Sequence, residues 1–532
     1  MYRTLSVVVA ATLASSASVT FAQYSSDPTV PLAISATAAD DVQGKIAAAP
    51  NDGQYISYFT GSGYDIYLDR RDHRGNSVWS APVLIEDRAF SSTTDYAMVS
   101  DAAGNAYVVY NAADPANSTG ALVKMASVSP TGSIRWTTVL HTSTLGPTSL
   151  GNGRAAVASD GFVWGAYSVG NDSVIARVNP TNGSLAVWRY LTENSSTKQI
   201  CSGLQASTNG GVILSTVRYT TFTSPKTLRA RRINADGTYG WGGDVGTPVF
   251  TTGSVQFGNF PDFISDGAGG AYFPWYTTSP LNCRVQRIDA AGTVLFGADG
   301  TPVSPNTSGT VGGVTTTLNR TNPSAVIGGD GRLYVFYRAY TGTISGSIFY
   351  GIGAQCFDSS GNRQWTDDGV MVEDYETSAG GIYDRGVGNA CLFGTSAGCS
   401  YTNSSSAVNA VAVACRMDAA GTVSWRTTLA SNLGTKYRFV ASDMTGAAVF
   451  AWQGSSGPGN PSDLMAGRVN DDGTLGNSQI PGDLDGNGIV DGGDLGMMIG
   501  SWGQCAGCSA DLNADGTVDG GDLGVLLGNW TI

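Results

Sequence analysis

Twelve positions near the C-terminus carry the clearest chemistry in this sequence. Asp483, Asp485, Asn487, Ile489, Asp491 and Asp494 stand at positions 1, 3, 5, 7, 9 and 12 of one stretch. Asp511, Asn513, Asp515, Thr517, Asp519 and Asp522 take the same positions in a second stretch that begins 28 residues later. Both have glycine at position 6, Gly488 and Gly516, where a loop of this kind turns sharply. Five of the six positions offer side-chain oxygen. Position 7 contributes a backbone carbonyl, so Ile489 and Thr517 serve whatever their side chains are. Calcium takes about six to eight hard oxygens in a flexible shell, and each stretch supplies such a set. Two Ca2+ ions are therefore expected, one per loop. Without them the converging carboxylates would repel one another. A solvated acidic turn does not account for two complete copies of the pattern.

Each loop runs into a short amphipathic segment that must hold it in place. Leu495, Met498, Ile499 and Trp502 fall at i, i+3, i+4 and i+7, as do Leu523, Leu526, Leu527 and Trp530. These spacings predict two helices packed face to face. Aspartate at position 12, and loop–helix units lacking a preceding helix, differ from an ordinary EF-hand. In both respects residues 482–532 closely resemble a type I dockerin. The resemblance implies calcium binding at the twelve positions and docking to a cohesin domain. In cellulosomes such docking mounts polysaccharide-degrading enzymes on a scaffold. In that family recognition leans on loop positions 10 and 11, which here are Gly492-Gly493 and Gly520-Gly521, and neither helix carries a basic residue. The expected partner is accordingly a cohesin-like or other extracellular or cell-surface protein. Since the halves are nearly equivalent, it could engage either one.

Charge distribution fits this reading. Residues 482–532 hold eight Asp and no Lys, Arg or Glu, so they carry −8 of the net −13 and leave −5 for everything else. No basic stripe runs anywhere, which excludes nucleic acid as an expected partner. At the other end, Arg3, the apolar run Leu5–Leu13 and Thr20-Phe21-Ala22 read as a signal peptide, residues 1–22, cut before Gln23. Ser15, Ser16 and Ser18 interrupt the apolar run too early for a membrane span. A secreted or cell-surface protein without a transmembrane anchor is expected. The eight Cys, at 201, 283, 356, 391, 399, 415, 505 and 508, are expected to be structural. Their pairing is open, including whether Cys505-Ala-Gly-Cys508 is bridged.

Residues 23–478 repeat. One half-unit is a turn followed by an aromatic, β-branched strand, as in Asp101–Tyr110, Asp266–Tyr276, Asp330–Tyr337 and Asp443–Trp452, with shorter relatives at Asp52–Tyr58 and Asp160–Tyr167. The other is an alternating strand, an Asp-x-x-Gly type turn and an aromatic four residues on. It appears at Asp72–Trp79, Ser129–Trp136, Asn234–Trp241, Asp289–Phe296, Asp358–Trp365 and Asp418–Trp425. Two copies are degenerate: Trp188 arrives one place late after Gly183, and Gly473 has no aromatic. The turn glycines 75, 132, 183, 237, 292, 361, 421 and 473 are 57, 51, 54, 55, 69, 60 and 52 residues apart. Units of this length hold about four short strands, which suits β-propeller blades. The sequence thus predicts a mainly β protein, an eight-bladed propeller followed by the small helical module. Seven blades are the alternative, because the unit near Cys391–Cys399 lacks a clear first half. Residues 24–40 are placed to close the ring.

Catalytic signatures are scarce. The two histidines, His73 and His141, have no Ser/Asp or Cys company of a recognisable kind. The richest carboxylate cluster outside the loops is Asp367, Asp368, Glu373, Asp374 and Glu376, followed by Asp384 and Arg385. A glycosidase needs two carboxylates about 5–10 Å apart. A solvated loop is the default reading of this cluster, and no residue is assigned a catalytic role. The expected function is a calcium-binding, non-catalytic scaffold whose propeller takes a polysaccharide or protein ligand. The rival expectation is a carbohydrate-active enzyme or lectin, a glycoside hydrolase or lyase if catalytic, delivered to polysaccharide by the module.

Overall fold

The computed structural model describes residues 23–88, 95–256, 258, 260–376, 384–406, 409–455, 460–477, 480–484, 489–505, 508, 510–513 and 515–531. The expected signal peptide, and Asp485, Asn487 and Gly488 of the first loop, lie outside the described residues.

Eight antiparallel sheets, each of four or five strands, follow one another along the chain: 42–86, 97–143, 150–191, 198–250, 264–302, 308–376, 384–430 and 435–470. Each first strand touches that of the next sheet, and the eighth returns to the first. This is an eight-bladed propeller. Residues Leu32–Ser35 add the outer strand of blade 8 by pairing with Ser462–Asn470, so the N-terminal segment closes the ring as expected. The long spacing after Gly292 comes from an extra hairpin in blade 6, where Ser308–Val311 pairs with the start of Val314–Ile327.

The two half-units have distinct places in a blade. The aromatic, β-branched half is the second strand, as in Gly53–Thr60, Ala106–Asp114 and Val163–Val169, nearly all of it buried. Blades pack against it from both sides, so it reads as a continuous apolar run instead of alternating. Blade 7 does the same with Ser396–Ser406, where Cys399 and Tyr401 supply the core. Small polar residues around them hid this strand from pattern reading, and its presence removes the seven-bladed alternative.

The glycine turn joins the third strand to the outer one, and all eight turn glycines have positive φ, from 74° to 94°. Six of them are also where the previous blade's aromatic lands. A Cβ on Gly132, Gly183, Gly292, Gly361, Gly421 or Gly473 would meet the ring of Trp79, Trp136, Trp241, Phe296, Trp365 or Trp425 at 3.1 Å or less. Four indoles add a hydrogen bond, with Trp79, Trp136, Trp365 and Trp425 Nε1 donating to the carbonyls of Pro130, Pro180, Ala419 and Asp471 at 2.9–3.2 Å. The relay accounts for the degenerate copies. Val187 takes the packing position over Gly237, and Tyr24 and Leu32 cover Gly75 where the ring closes.

Six cysteines, 201, 283, 356, 391, 399 and 415, are free and buried, whereas Cys505 and Cys508 form a disulfide. No helix among the described residues is long and apolar enough to cross a membrane.

Candidate functional site

Two helices carry the C-terminal loops, α1 (Gly492–Gly500) and α2 (Gly520–Gly528). Position 9 caps each one. Asp491 and Asp519 accept the N–H of Gly493 and Gly521 at 2.7 Å, while the position-12 carboxylates of Asp494 and Asp522 accept the N–H of Asp491 and Asp519 at 2.9 Å. The second oxygen of Asp494 takes the N–H of Leu484 at 2.6 Å, and that of Asp522 takes those of Leu512 and Asn513 at 2.7 and 3.0 Å. Asp494 and Asp522 thereby tie position 12 to the start of each loop, and both are fully buried. The N–H groups of Asp519, Asn513 and Leu512 outweigh burial and hold the Asp522 carboxyl below its usual range. In the second loop, Asp511 accepts from Asp515 and Gly516 at 3.1 and 2.9 Å, and Gly516 turns at φ 91°. Asp515 accepts the N–H of Thr517 at 2.9 Å, and Thr517 pairs in a short ladder with Gly503–Gln504.

Among the described residues no three acidic side chains converge on one point, here or elsewhere. Bare carboxylates repel, and in the second loop backbone N–H groups compensate them. The donor set itself is all oxygen, as calcium requires. In the first loop Arg74, from the glycine turn of blade 1, donates to Asp483 Oδ2 at 3.2 Å.

The helix faces divide differently from the expected stripe. Leu495, Met498, Leu523 and Leu526 join Val490, Ala510 and Val518 in the module's core. Ile499, Trp502, Leu527 and Trp530 stay largely exposed. Each helix is only nine residues long, and both tryptophans fall beyond its end.

A second polar constellation lies on the propeller's inner strands, and it was not anticipated from the sequence. Lys45 Nζ and Arg154 Nη1 donate to the two oxygens of Asp95 at 2.6 and 2.9 Å, and Arg154 Nε donates to the Ser202 carbonyl at 2.7 Å. Enclosure pushes the Asp95 carboxyl up, but Lys45 and Arg154 outweigh it and hold it below the usual range. Asp262, just before the first strand of blade 5, is instead raised by desolvation, which Arg154 only partly offsets. The recurring Gln43-Gly44-Lys45 and Asn152-Gly153-Arg154 triplets were the available signal.

The carboxylate cluster of blade 6 lies on and before its outer strand, Val370–Glu376, away from the inner strands. Asp367, Asp368, Glu373 and Glu376 pair with Arg363, Arg320, Arg426 and Arg385, and the Asp374 carbonyl accepts from Arg385. The Glu373 and Glu376 pairs tie blade 6 to blade 7, and the other two lie within blade 6; the Asp384 side chain lies outside the described residues. His73 is half-buried in its turn, and its carbonyl accepts from Arg468 of blade 8 at 3.1 Å. His141 lies beside Trp188 and Tyr190, with ring centroids 6.0 and 5.7 Å away, and burial lowers its pKa.

No protein-family model matches the chain, and no curated protein matches it by sequence. Among solved structures the chain is similar to an ulvan lyase bound to -[GlcA(1-4)Rha3S]-, at 11% identity with a TM-score of 0.43, over 85% of this chain and 96% of that one. It is also similar to the Dos1 propeller, at 10% identity and a TM-score of 0.43, over 81% and 93% of the two chains. The polysaccharide lyase Uly1 is similar at 9% identity and a TM-score of 0.40, over 80% and 89%.

Proposed function

We propose that this is an exported calcium-binding protein in which a dockerin-like module, residues 482–532, docks a non-catalytic propeller scaffold, residues 23–478, to an extracellular or cell-surface partner. The observation that carries this reading is the twofold repetition in the module. Each unit joins an acidic loop, a buried position-12 carboxylate and an exposed apolar pair, Ile499 with Trp502 and Leu527 with Trp530. Exposed apolar side chains repeated on one small module suit a protein partner, cohesin-like or otherwise.

Calcium would be held by Asp483, Asp485, Asn487, the Ile489 carbonyl, Asp491 and Asp494 in the first loop. In the second it would be held by Asp511, Asn513, Asp515, the Thr517 carbonyl, Asp519 and Asp522. The bound ion supplies positive charge that neutralises the converging carboxylates. The capping aspartates Asp491 and Asp519 then fix the direction in which each helix leaves its loop. A pull-down from culture supernatant and cell envelope, with and without a chelator, tests the docking. A partner retained only with calcium, and lost in a Trp502→Ala/Trp530→Ala variant, supports it. Retention that ignores both the chelator and the variant refutes it.

One observation favours a second reading, a polysaccharide-degrading enzyme. Asp95 and Asp262 flank Arg154 and are shifted in opposite directions, as an acid and base pair would be. Release of new sugar ends from a polysaccharide panel, abolished by Asp262→Asn, would favour it over the scaffold.

A further inference from the structure

The inner strands share an irregularity that a purely structural ring does not call for. In blades 1, 3, 6 and 8 the ladder skips between Val42 and Lys45, Gly151 and Arg154, Thr321 and Ser324, and Tyr437 and Val440. The first skipped residue, Gln43, Asn152, Asn322 or Arg438, lies in the left-handed region at φ 52–55°. Blade 7 skips at the same register, between Val387 and Ala390. A side chain in that region costs about 1–2 kcal/mol, and bulges serve to re-aim side chains. Such strain, repeated at one register on strands that meet round the ring axis, is kept where the re-aimed groups have a use.

The bulges of blades 6 and 7 border a cavity of about 370 Å³ that blade 5 completes. Its lining includes Asp262, Asn322 and Asn389, together with Phe260, Pro261 and Pro323. That volume is near the lower end of the roughly 300–1,000 Å³ of small-ligand clefts and suits one or two sugar rings. Room for Asp262 depends on Gly203, where a Cβ would come within 2.3 Å of its Oδ1. Charge then narrows the ligand class. Asp262 is the charged residue of the lining, and from outside the lining the surplus positive charge of Lys45 and Arg154, which share Asp95, acts on it, so the four groups sum to zero. A strongly charged ligand finds no net counter-charge. Amides that both donate and accept, beside a carboxylate that accepts, match vicinal hydroxyls. The proline and phenylalanine surfaces match the C–H faces of a sugar ring.

We propose that this cavity binds one or two residues of a neutral carbohydrate, with Asn322, Asn389 and Asp262 as its hydrogen-bonding groups. The proposal rests on the reading of the propeller as a binding scaffold and is independent of the calcium loops. Saturation-transfer NMR on the full chain, with glucose, galactose, mannose, xylose and glucuronate as probes, tests it. Transfer to at least one neutral sugar is expected, about tenfold weaker in Asn322→Gly/Asn389→Ala, where glycine keeps the left-handed backbone while the amides are removed. The same signal should persist in Asp511→Ala, which separates failure of this site from failure of the calcium module. No transfer to any neutral sugar, a preference for glucuronate, or transfer undiminished in the double variant would overturn it.

Discussion

Asp483 and Asp511 hold the same position in two loops, but their surroundings differ. Arg74 lies against Asp483, while Asp511 faces backbone N–H groups. A guanidinium at a ligand position competes with a cation, so the first loop is expected to bind calcium more weakly than the second. Arg74→Ala should raise first-loop affinity by up to about fivefold, the scale of a partly exposed ion pair, and leave the second loop unchanged. Calorimetry on the full chain checks this, and a first loop indifferent to Arg74 would show that the pair opens without cost. The twelve loop positions could be proposed from the sequence because calcium coordination would ask for fixed residue types at fixed spacing. Arg74 was not, since a contact across 409 residues leaves no local pattern.

Strands and turns show why part of the fold could be read and part could not. Turn chemistry is local: positive φ demands glycine, and the following aromatic returns at constant spacing, so blades could be counted. A one-place slip is equally legible in its consequence. Trp188 falls on the opposite face of its strand and is 46% exposed, whereas Trp79 is 9% exposed. Trp79→Ala should therefore destabilise the propeller by about 3–5 kcal/mol, and Trp188→Ala by much less, in denaturant titrations. Gly292→Ala should cost about 2 kcal/mol or more, because its φ is 85° and the new Cβ would meet Trp241 at 2.7 Å. Equal losses for the two tryptophans would refute the relay. The inner-strand bulges and the helix ends were not legible. A skipped ladder pair depends on the neighbouring strand, and whether Ile499 and Leu527 are buried depends on how far the helices run.

The whole molecule joins a ring closed by its own N-terminal segment to an acidic module at its other end. In such a ring each blade is covered on both faces, so the six free cysteines lie inside. Burial pushes the Cys201, Cys283, Cys391 and Cys399 thiols up, and Cys356 to about 12. Because the thiolate is the reactive form, a thiol reagent at pH 8 should label none of the six in the native protein and all six in guanidinium. Labelling in the native state would mean that blades open. The central claim, that the module is built round two calcium ions, is tested most directly by calcium calorimetry on the full chain beside Asp483→Ala/Asp511→Ala. Two binding events in the natural sequence, both lost in the variant, are predicted. No uptake by the natural sequence, or uptake that the variant retains, would contradict it.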